Sequence, residues 1–223
     1  MRKFLLLLIF AIFLTSSGSA QVKPKIKFPT GVPVKETGVE ATGGKVENRT
    51  YTNKKFGFEI AVPDNWFIAG PDFVKIVKEK GHDLSIDVAA ARGNRSIEIL
   101  MTAFRSETQS GDAILRVTSE NLKANPQIRD AVDYFDAITA AYATTKLPPD
   151  FIYSATKAEK LGARQFAYLD TSSNAGKKRM YATVRNGFAI MFTLSYTSDE
   201  DLQTLRRILE TGNFPLRKAE PPA

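Results

Sequence analysis

The sequence predicts an α+β fold, an α/β/α sandwich with a central, mainly antiparallel sheet. Strand-like segments in the C-terminal half are joined by tight turn signals, which make neighbouring strands antiparallel. Residues 188–196 carry no charge on either face, as expected for a strand covered by helices on both sides. Segments of helical periodicity, beginning at Asn125 and at Thr197, supply such helices.

The first strand is predicted within the stretch Tyr51–Trp66. Its core-facing side chains alternate with smaller or polar ones: Phe56, Phe58, Ile60 and Val62. This period of two is typical of a strand with one face in the core. Pro63 ends the strand because it has no N–H to donate, and Asp64–Asn65 turns the chain. Trp66 then returns to apolar surroundings.

Residues 72–91 fit two patterns. Phe73, Val77, Leu84 and Val88 share one helical face, but Leu84, Ile86 and Val88 also alternate as in a strand. We predict a helix that starts after Gly70–Pro71 and ends before Gly93–Asn94, with a helix followed by a strand as the alternative.

Two strands and the clearest helix come next. The segments 96–104 and 113–118 are rich in β-forming residues and predict strands. Asn125–Pro126 is a helix start, with the capping side chain first and proline second. The apolar residues behind it recur at helical spacing: Ile128, Val132, Phe135, Ile138 and Tyr142. Leu147–Pro148–Pro149 ends this helix.

The C-terminal part predicts a strand meander and a last helix. The strands span roughly 155–161, 164–171, 178–185 and 188–196. Gly162–Ala163 and Asn186–Gly187 supply tight turns, and the loop Ser172–Gly176 joins the middle pair. Thr197 and Glu200 predict a capping box for the helix, and Gly212 predicts its end. The apolar stripe of that helix consists of Leu202, Leu205 and Leu209.

Residues 1–20 have the anatomy of a secretory signal peptide. Arg2 and Lys3 precede an apolar run, Phe4–Leu14, and small residues lead to a cleavage site after Ala20. The apolar run is shorter than the ~20 residues that cross a bilayer, although a retained membrane anchor stays open as an alternative. We expect export, with the mature protein periplasmic or extracellular. The chain has no cysteine, so its core must hold without disulfides.

Residues 21–48 predict a disordered basic linker rich in proline and glycine. Positions 21–55 hold eight Lys/Arg against three Asp/Glu, whereas the remainder to the C-terminus holds 21 of each. The net charge of +7 therefore belongs to the leader and the linker. A rigid basic face is not indicated, so we expect no nucleic-acid partner. The linker alone is expected to contact an anionic envelope surface weakly. The folded domain is predicted over 49–216 and a disordered tail over 217–223.

The stretch Tyr51–Trp66 resembles the first strand of PsbP-like domains. The residues that carry the resemblance are Tyr51, Asn53, Gly57–Phe58, Ile60, Pro63 and Trp66. The predicted order of later elements agrees with it: helix, strands, helix, meander and terminal helix. The resemblance implies an antiparallel sheet between helices and, as a function, binding or assembly at the outer side of a membrane.

The inventory of reactive side chains argues against enzymatic chemistry. With no cysteine and one histidine, the usual zinc and copper ligand sets cannot be assembled, and no calcium-loop motif occurs. His82 lies in a polar segment, and no G-x-S-x-G elbow supplies a nucleophile. Asp133 and Asp136 are neighbours on one helix face rather than opposed across a cleft. We therefore predict no catalytic residues, no cofactor and no metal.

Two charged runs remain. Asp199–Glu200–Asp201 fits the first turn of a helix, where the helix dipole favours negative charge. Lys177–Lys178–Arg179 follows a turn; it is predicted to face solvent, with an anion-binding role as the alternative. No nucleotide-binding motif occurs.

The function predicted from the sequence is an exported, non-enzymatic binding or assembly module of the cell envelope, with a protein partner. Two alternatives stay open. The first is a secreted hydrolase built around His82 or around Asp133 and Asp136. The second is an envelope structural protein that binds through its basic linker.

Overall fold

The computed structural model describes residues 44–69, 97–105, 113–174 and 176–214. Within them the chain forms antiparallel sheets and two helices, so the predicted α+β class is confirmed. In chain order the elements are β1 (Gly44–Glu47), β2 (Thr50–Asn53), β3 (Phe58–Ala61), β4 (Trp66–Ala69), β5 (Ile97–Arg105), β6 (Ile114–Asn121), α1 (Ala131–Thr144), β7 (Ile152–Tyr153), β8 (Lys157–Leu161), β9 (Arg164–Ser173), β10 (Gly176–Arg185), β11 (Phe188–Tyr196) and α2 (Asp199–Glu210).

The strands form two sheets. A three-stranded sheet has the order β1-β2-β3, and an eight-stranded sheet has the order β4-β5-β6-β11-β10-β9-β7, with β8 also paired to β9. Each neighbouring pair is antiparallel. Strands β5, β6 and β8–β11 lie where the sequence predicted strands, with ends that shift by a few residues. At the β10–β11 turn, Asn186 and Gly187 have φ of 52° and 73°, as the Asn-Gly signal predicts.

The predicted linker boundary at residue 48 is wrong, because Gly44–Glu47 form β1. This strand pairs with β2, with Val46 opposite Tyr51. Asn48 and Arg49 both have positive φ, 45° and 61°, and close the hairpin in two residues. The short strand was missed because most of its side chains are polar or exposed.

The stretch Tyr51–Trp66 contains a hairpin and not a single strand. Tyr51 on β2 lies opposite Ile60 on β3, and Gly57 has a φ of 63° in the turn between them. The side-chain oxygen of Asn53 accepts a hydrogen bond from the backbone N–H of Phe56 at 3.0 Å and thereby holds this turn. The predicted core-facing set is confirmed: Phe56, Phe58, Ile60, Val62 and Trp66 are all buried.

Helix α1 begins later than predicted. Its N-cap is Asp130, whose carboxylate accepts hydrogen bonds from the N–H groups of Val132 and Asp133, so Asn125–Pro126 lies in a preceding turn. Val132 was predicted to face the core, but it is 49% exposed. The capping box of α2 is formed by Ser198 and Asp201, one residue after the predicted pair.

The predictions for residues 1–20, 21–43, 72–91 and 217–223 lie outside the described residues. In the part of the chain that the structure describes, no helix is long and apolar enough to cross a membrane.

Strand β11 divides the core of the large sheet into two clusters. Ile190, Phe192 and Leu194 belong to one cluster, together with the buried leucines of α2 and with Phe58, the aromatic residue of β3. Ala189 and Met191 belong to the other, together with the buried side of α1. The prediction that both faces of this strand are buried is confirmed, because alternate residues point to opposite faces.

We expect Trp66→Ala to lower the free energy of unfolding by about 3–5 kcal/mol, because it leaves a large cavity in a packed core. Trp66 is 3% exposed, whereas its neighbour Phe67 is 42% exposed. Phe67→Ala is the matched control and should cost clearly less. Chemical denaturation measures both, and equal losses would contradict the placement of Trp66.

Candidate functional site

Of the candidate residues of the hydrolase alternative, the structure describes Asp133 and Asp136. His82 lies outside the described residues. Asp133 is held at the start of α1, where its carboxylate accepts the N–H of Arg129 at 2.9 Å. This bond, and the nearby charge of Arg129, lower the pKa of Asp133. Asp136 is exposed on the same helix. The lowered pKa of Asp133 is the opposite of what a general acid requires.

The structure confirms the prediction for the acidic run and corrects the prediction for the basic run. Asp199, Glu200 and Asp201 occupy the first turn of α2, as predicted, and Asp201 is buried because it completes the capping box. For Lys177–Lys178–Arg179, the prediction of solvent-facing side chains is wrong at Arg179. Only 17% of its side chain is exposed, because it lies against β9. Lys177 is exposed, as predicted.

Arg179 is the centre of the most extensive polar network of the described residues, which we call the Arg179 cluster (Glu159, Tyr168, Asp170, Arg179, Tyr181 and Arg206). The Nε and Nη2 atoms of Arg179 donate to the two carboxylate oxygens of Asp170 at 2.7 and 3.0 Å. The guanidinium carbon lies 4.4 Å from the centre of the Tyr168 ring. Its third nitrogen lies 3.6 Å from Glu159. Fork-to-fork geometry of this kind fixes the orientation of the guanidinium.

Glu159 links this arginine to α2. It accepts a hydrogen bond from the Tyr181 hydroxyl at 2.5 Å. Its other carboxylate oxygen accepts from Arg206 of α2, and Arg206 is held in turn by Gln203 at 2.9 Å. One carboxylate therefore ties β8, β10 and α2 together.

The strand register explains how these residues meet. Arg179 lies opposite both Asp170 on β9 and Leu194 on β11. Tyr181, two residues further along β10, lies opposite Tyr168 and Phe192. Since side chains two residues apart share a face, the polar residues lie on the side of the sheet where α2 packs.

Burial, hydrogen bonds and nearby charges shift the pKa values of three residues on β10 and β11. Burial opposes the charge of Arg179, but its hydrogen bonds with Asp170 and Tyr181 outweigh this, and its pKa is raised. Burial raises the pKa of Tyr181, and the hydrogen bond to Glu159 adds to the effect. Tyr196 at the end of β11 has a raised pKa, chiefly through burial and then through the charge of Asp170.

The carboxylates of the Arg179 cluster are bound to arginine side chains. Both carboxylates, Glu159 and Asp170, are already engaged by arginines, so neither is placed as a base for a substrate. In the described segments, no group of three or more His, Cys, Asp or Glu side chains is arranged to hold a metal ion. The cluster fixes one arginine and two tyrosine rings beside the edge strands β7 and β8.

We expect Tyr181→Phe to lower the free energy of unfolding by about 1.5–3 kcal/mol at neutral pH, because one hydrogen bond to a charged group is lost. The raised pKa of Tyr181 also predicts an alkaline effect. Above pH ~10 the unfolded chain releases the phenolic proton while the native protein keeps it, so wild-type stability falls as the pH rises.

Above pH ~10, Tyr181→Phe should therefore weaken the dependence of the unfolding free energy on pH. The difference should correspond to about one proton released on unfolding. Denaturation at a series of pH values measures this slope. Arg207→Gln, at an exposed position of α2, controls for a surface change. If the unfolding free energy of Tyr181→Phe depended on pH as strongly as that of the wild type, this would contradict the claim that the fold protects the Tyr181 hydroxyl from ionisation.

Comparisons with known proteins give a likeness of fold. No protein-family model matches the sequence, and no curated protein matches it. Among solved structures, the chain is similar to the solution structure of cyanobacterial PsbP (CyanoP) from Synechocystis sp. PCC 6803. The TM-score is 0.43 and the identity 16%, over 79% of this chain and 95% of that chain.

Proposed function

We propose that this chain is a non-enzymatic binding module, exported to the cell envelope, that docks a protein partner on the side of its sheet next to the Arg179 cluster. The domain is an α/β/α sandwich in this proposal, supported by the two clusters that share β11. The docking area, which we call the edge surface, consists of Ile152, Lys157, Tyr168, Lys177 and Arg179.

The observation that carries the proposal is the exposure of Ile152. This side chain is 66% exposed, more than any other large hydrophobic side chain in the part of the chain that the structure describes. Ile152 lies opposite Ser172 on β9, and Lys177 lies opposite the same serine. Ile152 therefore shares the face of Asp170 and Arg179, two residues further along their strands. Tyrosine and arginine are enriched at interface hot spots, and Ile152 adds exposed apolar area on the same face as Tyr168 and Arg179.

The rigid neighbours make this surface suited to binding. The backbone of Ser154, which follows β7, donates to the carbonyl of Asp170 at 2.9 Å. Its hydroxyl accepts from the N–H of Asp170 at 3.1 Å, so β7 is fixed to the cluster. Arg179 and Tyr168 are held before a partner arrives, and side chains ordered in advance lose less entropy on binding.

The charge of the edge surface favours an acidic partner. Asp170 and Glu159 are neutralised within the cluster, whereas Lys157 and Lys177 are exposed on the same face. Complementary charge mainly increases the rate of association and selects the partner. The export part of the proposal is supported by the sequence of residues 1–20 alone.

A binding experiment with two matched substitutions tests this function. The mature chain with Ile152→Asp should lose about 2 kcal/mol or more of binding free energy for a partner recovered from the native envelope fraction. Val132→Asp is the control, because Val132 is also apolar and 49% exposed but lies on α1. It should bind like the wild type.

A second variant separates the linker alternative. Deletion of residues 21–40 leaves β1 intact, since that strand begins at Gly44. The deletion should keep the partner if the edge surface binds it. Loss of the partner on deletion, with full binding by Ile152→Asp, would overturn the proposal in favour of binding through the linker.

A further inference from the structure

Strand β8 lies at an edge of the large sheet. It pairs with β9 on one side, and no other strand among the described residues pairs with it. Leu161 lies opposite Arg164 across a two-residue turn, so these two residues exchange both backbone hydrogen bonds. Because hydrogen-bonded pairs alternate along an antiparallel ladder, the backbone N–H and C=O groups of Ala158 and Lys160 point away from β9. We call this outer side of the strand the β8 edge.

A β-bulge separates the β8 edge from β7. The backbone of Ser154 donates to the carbonyl of Asp170, and Lys157 lies opposite Tyr168. Between these two contacts the edge of the sheet contains two residues, 155–156, whereas β9 contains one. An extra residue of this kind interrupts the pairing and moves the side chains that follow to the other face. The β8 edge is therefore limited to the 5 residues of that strand.

Two side chains hold β8 firmly against the domain. The bulge places Glu159 on the face of the Arg179 cluster, where it accepts hydrogen bonds from Tyr181 at 2.5 Å and from Arg206 of α2. Leu161, two residues further along the strand, shares that face and is 1% exposed. A strand that is already ordered loses little conformational entropy when another strand pairs with it. The β8 edge is thus a preformed template for strand addition.

The charge of β8 determines which kind of strand fits. Lys157 and Lys160 are exposed, whereas Glu159, the one carboxylate of the strand, is bound to arginines. Exposed lysines on an edge strand discourage pairing with uncharged strands. A second copy of this edge would bring the same positive charges. Acidic side chains directly opposite the lysines would instead stabilise the pairing.

We propose that the β8 edge binds an extended acidic segment of a protein partner, which adds to the sheet as a further antiparallel strand. The inference rests on the proposed function and specifies its acidic partner. Main-chain hydrogen bonds to Ala158 and Lys160 supply affinity, and the side chains supply specificity. The segment carries acidic residues opposite Lys157 and Lys160, which are three positions apart and point to opposite faces of the sheet.

Amide hydrogen exchange of the mature chain without a partner tests whether the β8 edge is accessible. The N–H groups of Ala158 and Lys160 should exchange much faster than those of Glu159 and Leu161, which bond to β9. Equal protection of both pairs of amides would overturn the proposal, because the outer side of β8 would then be covered without a partner.

A synthetic peptide tests the chemistry of the partner segment. The probe is an end-blocked peptide of threonine and valine with two glutamates three positions apart, and its control has lysine in place of both glutamates. In ¹H–¹⁵N spectra of the mature chain, the glutamate peptide should cause saturable shifts centred on Ala158 and Lys160. The absence of such shifts, or equal binding of the lysine peptide, would overturn the proposal.

Substitutions connect peptide binding to the backbone and to the charge of β8. Ala158→Pro removes an N–H that points away from β9, so it leaves the ladder with β9 intact and should weaken the affinity about tenfold. Lys160→Gln leaves the backbone unchanged and should weaken the affinity severalfold, which provides a second test if Ala158→Pro folds poorly. Lys123→Gln, at an exposed position away from β8, is the matched control. Wild-type affinity in both Ala158→Pro and Lys160→Gln would contradict the site.

The envelope partner distinguishes failure of this inference from failure of the proposed function. Full binding of that partner by Ile152→Asp would contradict the proposed function and would leave the peptide result unaffected. Loss of the partner in Ile152→Asp, together with full binding by Ala158→Pro, would contradict strand addition alone.

Discussion

The burial of β11 on both faces is the constraint on which the rest of the structure depends. The strand runs between β6 and β10 and contains no charged residue. Phe192 and Leu194 contact one cluster and Met191 the other. Burying such side chains contributes about 1.5–3 kcal/mol each, but only if other elements cover both faces. The buried residues of α2 belong to the first cluster, and those of α1 belong to the second.

This packing fixes the position of β10. It therefore also fixes where Arg179 and Arg185, two charged residues of that strand, lie. β10 pairs with β11 from Lys177 to Arg185 and carries Arg179 near one end and Arg185 at the other. At the first end the partner across β9 is an opposite charge, Asp170, and the pair is held by two hydrogen bonds. At the second end the neighbour is a like charge, Arg164. Opposite charges on facing residues of neighbouring strands stabilise the folded chain.

Much of the fold was predictable because its strongest patterns are local. The four strands of the meander and the stripe of α2 follow from alternation, from helical spacing and from turn residues such as Asn186–Gly187. The misses have physical reasons as well. β1 and β7 are short, and their pairing depends on strands elsewhere rather than on an apolar pattern of their own. Asp130 replaced Asn125 as the cap of α1, because several polar residues before a helix offer equivalent caps.

The candidate sites were less predictable than the fold. The sequence predicts that Arg179 faces solvent, because it belongs to a basic run. The loop Ser172–Gly176 does not determine which residues of β9 and β10 lie opposite each other. One signal was present in the sequence: Asp170 and Arg179 carry opposite charges on adjacent predicted strands. The contacts of Glu159 with Arg179 and Tyr181 join residues of separate strands that are far apart in the chain. Only the assembled sheet brings them together.

The central claim is that β10 and β11 form a rigid core pair that positions charged groups at both ends of β10. Native-state hydrogen exchange of the full chain measures this rigidity residue by residue. The amides of β10 and β11 that bond within the sheet should exchange only through global unfolding, at the free energy found by denaturation, whereas those of the edge strand β7 should exchange through local opening. Exchange of the β10 amides at a free energy well below that of global unfolding would contradict the claim.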